Sequence, residues 1–440
     1  MRRAALAAVL LLIAASCGIG GTTAVRKGSR TVPFIPVDPA STSATDRAIA
    51  AAQARLRAAP TDDQARLSLV QAFLQKAREV ADPSLYAKAR GLLDGLVSKR
   101  PGDPAVLVTA GTLALAQHRF AEALTLGKRA ATVAPHDASA QGVLVDALNE
   151  LGRYDEALTA TQRMVDIKPG LPGLSRVSYA RELRGDLPGA IEAMTQAVVA
   201  GGSGENLAYV QVLLGNLLLL DGQSGAAAAQ YAEAERSFPG FPAAAAGQAR
   251  VAVARGRWSE AAELLGRVVR VQPQPEYAIA HGDALTAAGR PAEAADAYEL
   301  VGVIAKLFVA NGVNLDLDLA LFDAEQHPGE GAVARARRAL RARPGVLGHD
   351  ALAWNLFRVG RLDEAQRESA RSLRLGTRDP MLRFHAAAIS FARGDRVGAV
   401  EQLRVVLETN PRFSARYVPK VEQLAGALGL SVPPPGEEPG

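Results

Sequence analysis

The sequence predicts an all-α fold, an array of about ten stacked helix pairs. Three observations predict it. A short phrase recurs: HRFAEAL at 118–124, GRYDEAL at 152–158, GRWSEAA at 256–262, GRPAEAA at 289–295 and GRLDEAQ at 360–366. Its shared alanine falls at Ala89, Ala123, Ala157, Ala190, Ala227, Ala261, Ala294, Ala332, Ala365 and Ala399, a spacing of about 34 residues. Prolines punctuate the chain at one or two such periods, at Pro101, Pro135, Pro169, Pro239, Pro273, Pro344 and Pro411, and a proline cannot continue a helix beyond its first turn. The composition fits: 48% of residues are hydrophobic but only 5% aromatic, so the core must be alanine, leucine and valine.

Residues 1–17 read as an address. Arg2 and Arg3 form a positive start, and Ala4 to Ala15 an apolar run. That run is too short for a membrane span, which needs about 20 residues, and suits a signal peptide. It ends in Ala-Ala-Ser-Cys, and Cys17 is the only cysteine in the chain. Here the sequence resembles a bacterial lipoprotein, with Ala14 where the lipobox usually carries a larger aliphatic residue. The resemblance implies lipidation at Cys17 and a membrane-anchored protein at the cell envelope; plain secretion is the alternative. Residues 18–45 read as a linker, with flexible Gly and Ser and the stiffening prolines Pro33, Pro36 and Pro39.

From Asp46 to Phe413 the chain reads as the array. One copy shows the logic. Helix A spans about 105–117, His118-Arg119 turns, helix B spans about 121–134, and Pro135 closes it. The positions Gly111, Phe120, Ala123, Ala130 and Pro135 match the tetratricopeptide repeat (TPR) signature in order and spacing. So do Leu214, Gly215, Tyr231, Ala234 and Pro239. The resemblance implies a right-handed α-solenoid whose concave face is lined by the A helices.

Packing requires the same residue types without the name. Paired helices cross closely where Gly111, Gly215, Ala249, Gly282 and Ala353 meet the recurring alanines, and larger residues such as Leu148, Tyr154, Tyr231 and Leu265 fill the space between pairs. A lone pair cannot bury this face, whereas a stack can. Two seams interrupt the period: Gly201 to Gly204, and 301–331, where helix B is predicted to lengthen to about Val309 before a break at Asn311-Gly312. Residues 414–430 read as a helix capping the last repeat, and 431–440 as a disordered tail.

The net charge is +5, but basic residues are interspersed with acids. Nucleic-acid binding calls for a continuous basic stripe, so no nucleic acid is expected. No catalytic set, metal spacing or cofactor motif emerges. The six histidines are scattered, no HExxH occurs, and Asp316, Asp318, Asp323 and Glu325 lack EF-hand spacing. A chaperone-tail clamp needs a Lys/Asn pair on adjacent A helices. The paired positions carry Val108 and Thr112, Gly142 and Asp146, Ser175 and Tyr179, Val212 and Asn216, Ala246 and Arg250.

The expected function is therefore a non-enzymatic scaffold, lipid-anchored outside the cytoplasm, that holds a protein or peptide on its concave face. The alternatives are a ligand-binding lipoprotein serving transport, or an enzyme hidden in degenerate repeats. The candidate partner-binding residues are Trp354, Phe357, Phe384 and Phe391, aromatic rings at groove-facing A-helix positions of the last two repeats.

Overall fold

A computed structural model describes residues 34–37, 43–202 and 204–436. Cys17, the signal segment 1–17, most of the linker 18–45 and the last four residues lie outside the described residues. Of the unit spanning 1–35, only Phe34 and Ile35 are described, neither in a helix or strand. Everything below concerns the unit that begins at Pro36.

Among the described residues there are 22 helices and no strand. A leading helix, α1 (Ala44–Ala58), precedes ten antiparallel pairs. In order they are α2 (Asp63–Val80) with α3 (Ser84–Lys99), α4 (Pro104–Ala116) with α5 (Phe120–Val133), α6 (Ala138–Glu150) with α7 (Tyr154–Ile167), and α8 (Leu171–Glu182) with α9 (Leu187–Ala200). The middle pairs are α10 (Glu205–Leu220) with α11 (Ser224–Ser237), α12 (Pro242–Ala254) with α13 (Trp258–Val271), and α14 (Pro275–Ala287) with α15 (Pro291–Ala310). The last are α16 (Asp316–Gln326) with α17 (Glu330–Ala342), α18 (Val346–Arg358) with α19 (Leu362–Ser372), and α20 (Pro380–Ala392) with α21 (Arg396–Glu408). A final helix, α22 (Val418–Leu428), stands alone.

Local chemistry sets the boundaries. Asp62, Asp103, Asp137 and Asp379 cap their helices by accepting backbone N–H bonds, and Pro104, Pro242, Pro275 and Pro380 occupy first positions, where no N–H is needed. The recurring alanines sit at the A/B crossings. All ten are buried, none more than 5% exposed, as close helix approach demands. Around them pack the larger side chains; Tyr231, wholly enclosed, fills the space between the fifth and sixth pairs. The lengthened helix is α15, with 20 residues, and Gly312 turns the chain after it at φ 82°.

The solenoid also closes on itself. The turn inside each early pair meets the connector that follows the fifth pair further along. Gln272 donates to the Arg78 carbonyl. Gln117 donates to the Asn311 carbonyl, and the Asn314 N–H to that of Gln117. Arg343 is ion-paired with Glu150, and the Val346 N–H donates to the Tyr154 hydroxyl at 2.8 Å. Arg374, from the next connector along, donates to the Gly152 carbonyl. Successive turns of the superhelix therefore touch along a continuous seam. Two glycines are required there twice over. Gly152 (φ 66°) and Gly185 (φ 77°) hold left-handed turns, and a Cβ on either would run into the carbonyl of Pro344 or Gly376 across the seam.

Residues 409–436 depart from the stack. α22 packs on the last pair, in one apolar cluster with Ala399, Leu403 and Val406 of α21, and Arg396 donates to its Ala427 carbonyl. Its first turn also reaches the inner face, where Lys420 pairs with Glu325 on α16 at 2.6 Å. The described part of the 431–440 segment, 431–436, is not helical, and it lies at the turns inside the fifth and sixth pairs: Pro433 and Pro434 border Gly222 and Ala254, Pro435 lies beside Gly256, and Arg412 donates to the Pro433 carbonyl.

Candidate binding face

The A helices line the inside of the superhelix, and that lining has two parts. The first spans α6, α8 and α10. It is a concavity of about 520 Å³ walled by Asp146, Arg176, Tyr179, Tyr209 and Asn216 over an apolar floor of Met194, Leu213 and Leu217. Its charges are paired. Arg176 grips both oxygens of Asp146, at 2.8 and 2.5 Å, and spends a further donor on the Pro172 carbonyl. The Asn216 carbonyl oxygen accepts from Tyr231 and Arg250. Among the described residues, no hydrogen bond engages the hydroxyls of Tyr179 or Tyr209, and Tyr209 is 52% exposed. Burial raises the Tyr179 phenol above its usual range.

Glu182, at the end of α8, lines the same concavity. Burial, helped by the nearby Asp379 charge, pushes its carboxyl up to about 7. Asp379 belongs to the cap of α20, across the seam. Its own carboxyl is raised by burial, against the two backbone N–H bonds it accepts.

The second part spans α12 to α20 and is largely covered by residues 413–428. Arg416 donates to Asp283 on α14 at 2.9 Å. Tyr417 inserts among Trp354, Phe384, His385 and Phe413. A cavity of about 490 Å³ remains beneath this segment, bordered by Glu276, Asp318, Leu321, Arg343 and Met381.

This cover decides the fate of the aromatic candidates. Trp354 and Phe384 are each 2% exposed, while Phe357 and Phe391 are partly buried in the same cluster. Trp354 stacks on His385 at 4.0 Å and on Phe357 at 4.8 Å, and its indole N–H donates to Glu325 at 2.9 Å. The rings sit on the inner face at the positions the repeat assigns them. They do not form a free docking surface, because Val421, Leu424 and Leu428 of the chain's own α22 bury them.

One constellation escaped the sequence. His385 Nδ1 lies 3.0 Å from both oxygens of Asp350, and Nε2 lies 3.1 Å from the Tyr417 hydroxyl. The geometry resembles a catalytic relay, but His385 is wholly buried and Asp350 is 1% exposed, so no substrate reaches it. It is a satisfied polar core, with each group supplying the other's hydrogen bonds. Spacing alone offered no signal, because the three residues come from α18, α20 and the segment that follows α21. Among the described residues no cluster of His, Cys, Asp or Glu is arranged to hold a metal, and no helix is long and apolar enough to cross a membrane.

The family profile of the tetratricopeptide repeat matches residues 108–172, and a second such profile matches 218–284. Both fall on the helix pairs described above. The chain is a tetratricopeptide-repeat protein. A crystal structure of a thermophilic TPR protein from Thermus thermophilus is similar to part of it, with 22% identity and a TM-score of 0.36, over 42% of this chain and 97% of that one. No curated protein matches the sequence. TPR arrays are protein-interaction scaffolds.

Proposed function

We propose that this TPR protein is a non-enzymatic scaffold that holds a protein partner in the concavity of α6, α8 and α10. The observation that carries the reading is the contrast along one face. The stretch over α12 to α20 is covered by the chain's own residues, whereas the stretch around Tyr179 and Tyr209 is uncovered. Uncovered aromatic rings beside an apolar floor are the groups that anchor a bound segment. A photo-crosslinking residue at Tyr209 tests this. Partner should be trapped there and not from a crosslinker at exposed Val271, on α13. Tyr209→Ala should weaken capture at least tenfold without lowering the melting temperature. Equal capture at both positions would remove the concavity from consideration.

The scaffold is further proposed to act outside the cytoplasm of a bacterium, anchored by lipid at Cys17. The supports are the basic start, the apolar run 4–15 and the single cysteine that follows it. Mass spectrometry of the mature N-terminus reads this directly: an acylated Cys17 is expected, lost in Cys17→Ala. A mature protein without acyl mass rejects the anchor. A volume of about 520 Å³ also lies within the range of small-ligand pockets, which supports a transport ligand as the second reading. It is distinguished by binding that survives removal of every protein partner.

A further inference from the structure

The covered stretch of the inner face carries its own information. Residues 413–428 lie along it as one short segment: a turn, Phe413 to Tyr417, closed by the Tyr417 and Val418 N–H groups on the Ser414 carbonyl, followed by a helix. The turn is tied by charge. Arg416 pairs with Asp283, 133 positions earlier, and is held over the Tyr298 ring at 5.7 Å. Lys420 pairs with Glu325, 95 positions earlier, which also takes Arg358 and the Trp354 indole. The helix is tied by apolar contact, with Val421, Leu424 and Leu428 in one cluster with Trp354, Phe384, Leu403 and Val406. Between these two grips the segment leaves space beside it: concavities of about 490 and 120 Å³ border residues 413–417.

We propose that residues 413–428 are an intramolecular ligand of the face formed by α12 to α20, and that this face takes in trans a segment of the same chemistry. That chemistry is an arginine next to a tyrosine, a lysine three residues after the tyrosine, and an apolar helix beginning there. Arg416 meets Asp283, the aromatic ring enters the Trp354–Phe384–His385 cluster, and the lysine meets Glu325. The segment thereby closes this half of the groove until such a partner displaces it. This proposal is independent of the one for α6 to α10, since it concerns different helices and different side chains.

The experiment has two arms. In the unaltered full-length chain, hydrogen exchange should show the amides of α22 exchanging at least tenfold faster than those of α20 and α21, because the segment detaches without unfolding its seat. In the full-length Arg416→Ala/Lys420→Ala chain, a fluorescent peptide of residues 409–430 should bind at least tenfold more tightly than to the unaltered chain. Exchange of α22 only together with α20 and α21 overturns the proposal, whatever the variant does. Faster exchange without peptide binding overturns it too, because the segment is then a loose end and not a ligand.

Discussion

Tyr154 and Val346 lie 192 positions apart, and the Val346 N–H donates to the Tyr154 hydroxyl inside the structure. The bond is buried, and it joins the third pair to the ninth. Tyr154→Phe leaves that N–H without its partner. The expected cost is about 1–3 kcal/mol, the desolvation penalty of a buried orphaned donor. Denaturant unfolding measures it. Arg153→Leu is the control: its pair with Glu156 is exposed, and losing an exposed pair costs about 1 kcal/mol or less. If the two variants lose equally little, the seam contributes nothing to stability.

A second prediction concerns the crossings. Ala157 is 2% exposed and packs with Val145, Leu148 and Ala160. Ala157→Leu forces three extra heavy atoms between α6 and α7, which cannot move apart without disturbing their neighbours. A loss of about 1–3 kcal/mol is expected. A melting temperature unchanged from the parent would contradict the close crossing.

A third concerns pH. The Glu182 carboxyl titrates at about 7 in the folded protein against 4.5 ordinarily. A raised acid favours the unfolded chain once it ionises there. Its contribution is therefore neutral below about 4.5, grows more unfavourable as pH climbs, and is complete above about 7. Glu182→Gln removes the penalty. The variant should match the parent at pH 4 and exceed it in stability at pH 8. An advantage that is largest at pH 4 would reverse the sign and refute the burial argument.

The repeat was legible because its signals are local. An alanine at each crossing and a proline after each helix B are fixed by contacts within one pair, so they recur in the sequence with its period. The seam left no such trace. It depends on how small rotations between pairs accumulate until Gln117 arrives beside Asn311, and no short stretch encodes that sum. The aromatic candidates fall between these cases. The period assigns Trp354 and Phe384 to A helices, but their burial is decided by Tyr417, Val421 and Leu424, which lie outside the repeats and meet them only in the folded chain. The linear order presents α22 as a helix on the last pair, and nothing in that order shows that its Lys420 also reaches Glu325 on α16.

The last prediction separates those two roles for Trp354. As a free groove ring it would tolerate truncation with little change in stability. In the structure it is 2% exposed, stacked between Phe357 and His385, and bonded to Glu325. Trp354→Ala should therefore cost about 3–5 kcal/mol, the range for deleting a large buried aromatic ring. The loss has two further consequences. Glu325 forfeits a donor, and α22 forfeits the ring against which its apolar face rests. Hydrogen exchange should then rise in α22 before it rises in the first five pairs. Tryptophan fluorescence checks the starting point, since Trp354 and Trp258 are the only two tryptophans. In a Trp258→Phe background the remaining emission should be blue-shifted and poorly quenched by iodide. Strong quenching there would place Trp354 at the surface and restore it as a groove residue.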